Sequence, residues 1–332
     1  LCRCTGYRPI KDALKNLKKY KSLNSDSSLI LKKLKKIKLN DVVLTNNNSK
    51  FFIHKNLETF KKDFIKSNNP SLLVGGTDLS LEITKKRKNL EEIFYIGQNK
   101  DLNFVRVKKN NLHIGASTPI NDILESLKKY YPEFYEMFER YGSEQIRNVA
   151  SLGGNIGSAS PIGDSLPVLI SLDTFLILDG NKSRKIPMSD YFVGYRKTKL
   201  RKKEFIKEII IPLKSQHNTL KCYKISKRID DDISSVFMAI NTEIKNNKFK
   251  TIKIVCGGMA VFPKIAKKTE TYLKNKKINF DNITKAKKII TKEFSPISDV
   301  RSSKNYRIKI VSNLLDRFFH EYNNEKVTVY DY

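Results

Sequence analysis

Residues 148–168 read NVASLGGNIGSASPIGDSLPV, a stretch in which small side chains dominate. Gly153, Gly154 and Gly157 are interleaved with Ser151, Ser158, Ser160 and Ser165, with one acid at Asp164 and prolines at Pro161 and Pro167. Glycine lacks a Cβ and accepts positive φ, so a Gly-Gly pair lets backbone N–H groups reach a ligand that larger side chains would hold away. Residues 72–81 (LLVGGTDLSL) repeat the logic: an apolar run with the character of a buried strand leads into Gly75, Gly76, Thr77 and Asp78. Successive turn amides in such a place form a nest for an anion such as a diphosphate. Taken alone, either stretch is equally a tight structural turn.

Other reactive side chains are sparse. The four cysteines are too few and too dispersed for a disulfide framework. Cys222 and Cys256 lie in strand-like surroundings and read as core residues. Cys2 and Cys4 form a Cys-x-Cys pair, which supplies two thiolates where an iron–sulfur cluster needs four ligands, so LCRCTGYRPI reads as the tail of a longer segment. His54, His113, His217 and His320 stand apart from one another and from acids at ligand spacing. No metal site is expected in the main body.

A chain of 332 residues accommodates two or three domains. Its 39% hydrophobic share, with 15 Tyr and 18 Phe, belongs to a folded protein rather than a disordered one. No apolar run approaches the roughly 18 residues of a membrane span, and the N-terminus has no signal-peptide pattern, so a soluble cytoplasmic protein with no membrane partner is expected. The formal charge of +30 raises nucleic acid as a partner. Yet lysines occur in nearly every segment, often beside Asn and Ile as in KNNKFKTIK (245–253), and no zinc-finger or RNA-recognition signature accompanies them. A bias in residue usage explains the charge better than a nucleic-acid site, and the block KKLKKIK (32–38) reads as a solvated linker face.

The glycine stretches need elements to hold them. Residues 9–20 have helical spacing at Ile10, Leu14 and Leu17, and residues 21–50 read as a Ser-, Asn- and Lys-rich linker with a short helix near 29–39. Residues 51–213 read as one α/β unit. Strands are expected at 51–53, 71–74, 92–96, 104–108, 112–116, 175–178 and 205–211, with helices over 56–67, 120–129 (opened by Pro119) and 133–141. From 213 onward, strands at 220–226, 236–244 and 249–256, with a turn at Asn246-Asn247, precede helices over 266–275, 282–293 and 305–322. The last helix carries Ile308, Val311, Leu315, Phe318 and Phe319 on one face, a core stripe rather than a cofactor surface.

The succession LCRCTGYRPI, LLVGGTDLSLE, VASLGGNIGSASPIGDSLPV, GYRKT, KRIDDDIS and GGMA resembles the xanthine dehydrogenase family, and within it the small subunit that bears iron–sulfur clusters and FAD. The motifs cover nearly the whole chain in the family's order. The resemblance implies a mixed α/β and α+β architecture. A vanillyl-alcohol-oxidase (PCMH) type FAD-binding domain would span 51–213, and a carbon monoxide dehydrogenase flavoprotein C-terminal-like domain 214–325, with a tail at 326–332. It further implies that residues 1–20 are the end of a [2Fe-2S]-binding helical domain, with Cys2 and Cys4 among its metal ligands, and that the rest of the cluster-binding part is missing from this sequence.

Carried over position by position, the resemblance implies that Leu73, Val74, Gly75, Gly76, Thr77, Asp78, Leu79 and Ser80 wrap the FAD diphosphate. Ser151, Leu152, Gly153, Gly154, Asn155 and Ser158 would hold the cofactor from the opposite side. Asp164, Ile206 and Lys224 would be further contacts, as would Tyr141, which stands where the family often has Phe. Arg228 and Asp231, in KRIDDD, would lie near the isoalloxazine ring, act in catalysis and influence which oxidant reaches it. Judged without the ordered motifs, Tyr141 is a core aromatic, Lys224 a surface lysine and Asp231 one of a solvated acid run. Family members with covalent flavin carry His in the diphosphate loop; Thr77 fills that region here, which implies non-covalent FAD.

No G-x-G-x-x-G follows a strand, so NAD is not expected in a Rossmann domain and would dock transiently over the flavin. The resemblance makes this chain the exit of an electron path in purine catabolism. A molybdopterin-bearing large subunit would oxidise the heterocycle, iron–sulfur clusters would relay electrons, and FAD would pass them to NAD or dioxygen within a hetero-oligomer. Other classes stay open: a free-standing FAD reductase or oxidase of the same fold, an aldehyde or carbon monoxide dehydrogenase-type flavoprotein subunit, or a docking subunit that has lost FAD.

Overall fold

The computed structural model describes residues 7–20, 26–37, 40–213, 218–325 and 327; Cys2, Cys4 and the expected tail at 326–332, apart from residue 327, lie outside them. Residues Leu1–Asn40 form one unit and Asp41–Tyr332 a second. The first holds α1 (Tyr7–Asn16) and α2 (Ser27–Lys35), whose first turn is capped by the Asp26 carboxylate accepting from the Ser28 and Leu29 amides. Neither helix buries a residue.

The expected linker over 21–50 is corrected at its C-terminal end. Asp41 already belongs to the second unit, and Val42, Val43, Leu44 and Thr45, β-branched or apolar despite their Asn- and Lys-rich surroundings, form β1 (Val42–Asn46). β1 pairs antiparallel with β2 (Ser49–Ile53). After α3 (Leu57–Lys66) come β3 (Pro70–Leu73), the short α4 (Ser80–Thr84) and β4 (Glu92–Tyr95). β2 and β3 flank β4 in parallel, giving the order β1-β2-β4-β3. Phe52 and Phe94 stack at 4.3 Å, and Phe60 and Phe64 of α3 meet Phe94 and Phe205 edge-on, so one aromatic cluster forms this sheet's core.

The second layer is antiparallel. β5 (Val105–Lys108) and β6 (Asn111–Gly115) precede α5 (Ile120–Tyr130), α6 (Pro132–Glu139) and α7 (Glu144–Arg147). Pro119 stands at the N-cap of α5, immediately before its first residue. The stretch 148–168 is not a continuous loop: it contains α8 (Leu152–Gly157) and leads into α9 (Ser165–Ser171). Every residue of α9 is buried, and a helix buried on every side gives no amphipathic period to read. β7 (Phe175–Asp179), β8 (Arg184–Pro187) and β11 (Phe205–Pro212) complete the layer as β5-β6-β11-β7-β8, while β9 (Phe192–Gly194) and β10 (Lys197–Thr198) form a separate two-stranded hairpin.

The remaining sheet runs β12 (Asn218–Ile225), β13 (Val236–Lys245), β14 (Lys248–Gly257) and β15 (Lys264–Ile265) in chain order, antiparallel throughout. Asn246 and Asn247 both hold positive φ, 52° and 54°, the pairing that a tight right-twisted hairpin requires. The helices α10 (Lys267–Leu273), α11 (Phe280–Glu293) and α12 (Lys304–Tyr322) bury Leu273, Ile283, Ile290, Val311, Leu315 and Phe318 with one face of the sheet. α9 packs on β13 and β14, which joins the second and third layers. No helix among the described residues is long and apolar enough to cross a membrane.

Candidate functional site

The first glycine stretch bends at Gly76, whose φ of +70° lies in the left-handed region that a Cβ disfavours. Its neighbour needs glycine for another reason. An ideal Cβ on Gly75 would sit 2.0 Å from the Val149 carbonyl oxygen, so this turn is seated directly against the chain entering the second stretch. Ser80, Leu81 and Glu82 donate their amides back to Gly76, Asp78 and Leu79 at 3.0–3.1 Å, whereas the amides of Gly75, Gly76, Thr77, Asp78 and Leu79 donate to no acceptor among the described residues. Five consecutive free donors around a left-handed glycine make an anion-binding concavity.

The second stretch works differently. The Ser151 hydroxyl caps α8 by accepting from the Gly154 amide at 3.0 Å, and the amides of Leu152, Gly153 and Asn155 donate to Thr118, Ala116 and Ser151 carbonyls. A Cβ on Gly153 would lie 2.4 Å from the Ala116 oxygen. The glycine here serves close packing, and its amides are committed within the protein. What this stretch offers a ligand is a smooth wall of small residues.

Between the two lies a cleft of about 850 Å³, within the roughly 300–1,000 Å³ usual for ligand pockets. Leu73 through Leu79 line one side, and Ser151, Gly153, Gly154, Asn155 and Ser158 the other; Tyr141, Asp164, Ile206 and Asp231 also line it. Leu152, Ser80, Lys224 and Arg228 do not. Leu152 is core, the Ser80 hydroxyl folds back onto the Gly76 carbonyl, and the Arg228 side chain is 73% exposed.

Lys224 stands behind the wall. Far from a surface lysine, it is buried, and Nζ donates to Asp164 Oδ2 at 2.5 Å, the Asp232 carbonyl at 2.8 Å and Ser234 Oγ at 3.0 Å. Ser234 in turn donates to Asp164 Oδ1 at 2.6 Å, so both carboxylate oxygens are fixed. Tyr141 accepts from Asn155 Nδ2 at 2.9 Å, and Asn155 accepts from Ser165 Oγ at 2.5 Å. Burial, then the Asp164 charge, pushes the Tyr141 phenol up to about 12, which keeps the hydroxyl protonated and able to donate.

The 226–233 loop is clamped by Arg140, whose guanidinium donates to the Ile229 carbonyl at 2.9 Å and the Lys224 carbonyl at 3.3 Å. Asp232 accepts from the Arg228 and Ile233 amides, both at 2.9 Å. Burial alone would raise the Asp232 carboxyl, but these amides and the Arg228 charge outweigh it and hold the group below the usual carboxylate range. Asp231 sits at φ +53°.

Several lining residues have no sequence signal that separates them from their neighbours. Arg196, at φ +50° in the β9–β10 turn, stands 3.9 Å from Asp78 Oδ2. GYRKT marked that turn without giving a reason. Glu204 is held bidentately by Arg184 at 2.9 and 2.7 Å. Phe205 and Arg301 reach the cleft only through the fold. A flavin dinucleotide combines a diphosphate, a hydroxylated chain and a flat apolar ring. Free amides, a phenol, a fixed carboxylate and the apolar surface of Ile96, Ala116, Phe205 and Ile206 fit those three parts.

The family described as FAD binding domain in molybdopterin dehydrogenase matches residues 48–214, and the CO dehydrogenase flavoprotein C-terminal domain matches 221–322. The chain belongs to the molybdopterin dehydrogenase FAD-binding family. Its relatives include Xanthine dehydrogenase 1 of Arabidopsis thaliana, 32% identical over 245 residues, covering 68% of this chain and 18% of that protein. This chain thus spans less than a fifth of the length of that relative. The glyceraldehyde dehydrogenase medium chain of Sulfolobus acidocaldarius is 29% identical over 262 residues, covering 78% and 92%. Carbon monoxide dehydrogenase from Hydrogenophaga pseudoflava, a form lacking the Mo-pyranopterin moiety, superimposes with a TM-score of 0.77 at 20% identity over 82% of this chain and 96% of that one, a likeness of fold alone. Members of the molybdopterin dehydrogenase family are oxidoreductases, and the fold is the expected one: an FAD-binding domain followed by the CO dehydrogenase flavoprotein C-terminal domain.

Proposed function

We propose that the chain is the FAD-bearing, electron-transferring component of a xanthine dehydrogenase-like molybdenum hydroxylase. In this reading it acts in the cytoplasm, receiving electrons from iron–sulfur clusters and delivering them to NAD. The observation that carries the reading is the run of five unpartnered amides, Gly75 to Leu79, opening onto a cleft of about 850 Å³. Bound FAD would supply the exchange between one-electron carriers and a two-electron acceptor. The 75–79 amides hold the diphosphate, the Tyr141 hydroxyl donates to the cofactor, and Asp164, oriented by Lys224 and Ser234, accepts from it. Asp231 meets whatever approaches from the 226–233 side, and Arg228 shapes that loop through Asp231 and Asp232. A molybdopterin-bearing partner would carry out purine oxidation, with the clusters borne outside the described residues. The near-complete coverage of a medium chain favours a second reading, a subunit of an aldehyde or carbon monoxide dehydrogenase-type assembly.

The test uses the purified chain loaded with FAD under anaerobic conditions. NADH should bleach the flavin and drive reduction of an artificial dye, and xanthine or hypoxanthine should do neither. Asp231→Ala should alter NADH turnover about tenfold, equivalent to about 1.4 kcal/mol at the transition state, while leaving flavin content near that of the parent. Purine-driven dye reduction by the single chain would overturn the division of labour.

A further inference from the structure

Arg301 lines the same cleft, and none of the roles above uses it. It sits on the turn between α11 and α12, which is held with little freedom. Asp299 Oδ1 accepts from the Arg301 and Ser302 amides at 2.9 and 3.1 Å and from Arg307 Nη2 at 2.8 Å. Arg307 is 1% exposed and also donates to the Ser235 and Gly258 carbonyls, which ties the turn to the strand ends beneath it. Lys227 Nζ donates to the Val300 carbonyl at 3.1 Å, so the turn abuts the 226–233 loop.

Charge counting singles out Arg301. Two guanidinium groups share one carboxylate, and Arg307 takes its hydrogen bond. Arg301 Nη1 is left 3.8 Å from Asp299 Oδ2, beyond hydrogen-bond length. Among the described residues no acceptor takes a hydrogen bond from the Arg301 guanidinium, and no other carboxylate pairs with it. Its side chain is 33% exposed, so a half-buried cation shares its single carboxylate with a second, fully buried arginine. The planar fork of a guanidinium matches a phosphoryl oxyanion.

We infer that Arg301 anchors a phosphoryl group of the nicotinamide dinucleotide that exchanges electrons at this cleft. This rests on the reading of the cleft as an FAD site that meets NAD. Phosphoryl oxyanions could come from either dinucleotide. The free amides at 75–79 already answer the FAD diphosphate, and Arg301 abuts the loop through which the second substrate approaches.

The experiment compares Arg301→Ala and Arg301→Lys with the parent chain in three measurements: FAD titrated into the flavin-free protein, ADP-ribose titrated calorimetrically into the FAD-loaded protein, and rapid-mixing reduction by NADH. FAD affinity should be kept in both variants. ADP-ribose affinity should fall at least about tenfold in Arg301→Ala and less in Arg301→Lys, with the loss in the NADH reaction falling on apparent Kd rather than on the limiting rate. Equal ADP-ribose affinity in parent and Ala variant overturns the inference, as does a parent that binds no ADP-ribose. So does a loss confined to FAD affinity, which would assign Arg301 to the cofactor. FAD binding by the parent reports separately on the reading beneath it.

Discussion

The Val149 carbonyl oxygen occupies the space beside Gly75, 2.0 Å from where a Cβ on that glycine would be. Backbone fills the gap, so no side chain can swing away to make room. Gly75→Ala should push the two glycine stretches apart, costing on the order of 1–3 kcal/mol and lowering flavin retention. Gly154→Ala is the control for stability, since its Cβ would meet only the Ser151 hydroxyl, at 3.0 Å. Chemical denaturation of the two variants decides; equal midpoints would mean the contact is not tight.

Gly76 is a different case, because space there is ample and backbone conformation is the constraint. An added Cβ would meet Leu73 Cδ1 at 3.4 Å, but φ is +70°. Gly76→Val, β-branched in a left-handed position, should cost about 1–2 kcal/mol and turn the 75–79 amides out of register with the diphosphate. Asn visits that region more readily, so Gly76→Asn should keep more flavin than Gly76→Val. Full flavin occupancy in the Val variant would remove this turn from the site.

Lys224 and Asp164 form a buried pair whose side chains are 2% and 6% exposed. Lys224→Met strands the carboxylate and should destabilise the fold by about 3–5 kcal/mol. Asp164→Asn in the same chain should recover part of that loss. A double-mutant cycle by urea unfolding measures the coupling, and strict additivity would show the two side chains to be independent.

Away from the cleft, Glu270 accepts from the Ile254 amide at 2.6 Å, and burial, the dominant cause, pushes its carboxyl up to about 7. With the folded pKa above the unfolded one, the folded state binds the extra proton between pH 4.5 and about 7. The contribution to stability is therefore complete below pH 4.5 and lost as pH rises through 7. Glu270→Gln should flatten that part of the stability profile and raise stability at neutral pH, by roughly 3 kcal/mol at most. Parallel profiles for the two proteins across this window would contradict the placement.

The apolar, β-branched run of β11, the apolar run entering Gly75, and the hairpin turned by Asn246-Asn247 were legible because each signal is local. α8 and α9 were not. Gly-Gly and Pro lower helix propensity, and the cost is met by the Ser151 cap and by burial of all of α9, neither of which local pattern displays. Lys224 reads as a surface residue until Asp164, 60 positions earlier, comes within 2.5 Å. Motif order brought Tyr141 and Asp164 to the cleft, but the same carry-over named Leu152, Ser80, Lys224 and Arg228, which stand behind or beside the wall. Arg301 depends on how Asp299 divides between two arginines, a count that exists only in the folded chain.

In the proposed function the Gly75 to Leu79 amides hold the diphosphate of FAD. Calorimetric titration of FAD and of riboflavin into the flavin-free chain tests it most directly, because the two share a ring system and differ in the diphosphate and adenosine. One FAD should bind per chain, releasable on denaturation, and riboflavin should bind at least about a hundredfold more weakly, since the loss removes several charge-assisted hydrogen bonds of roughly 1.5–3 kcal/mol each. Equal affinities for the two, or no binding of FAD, would contradict the assignment.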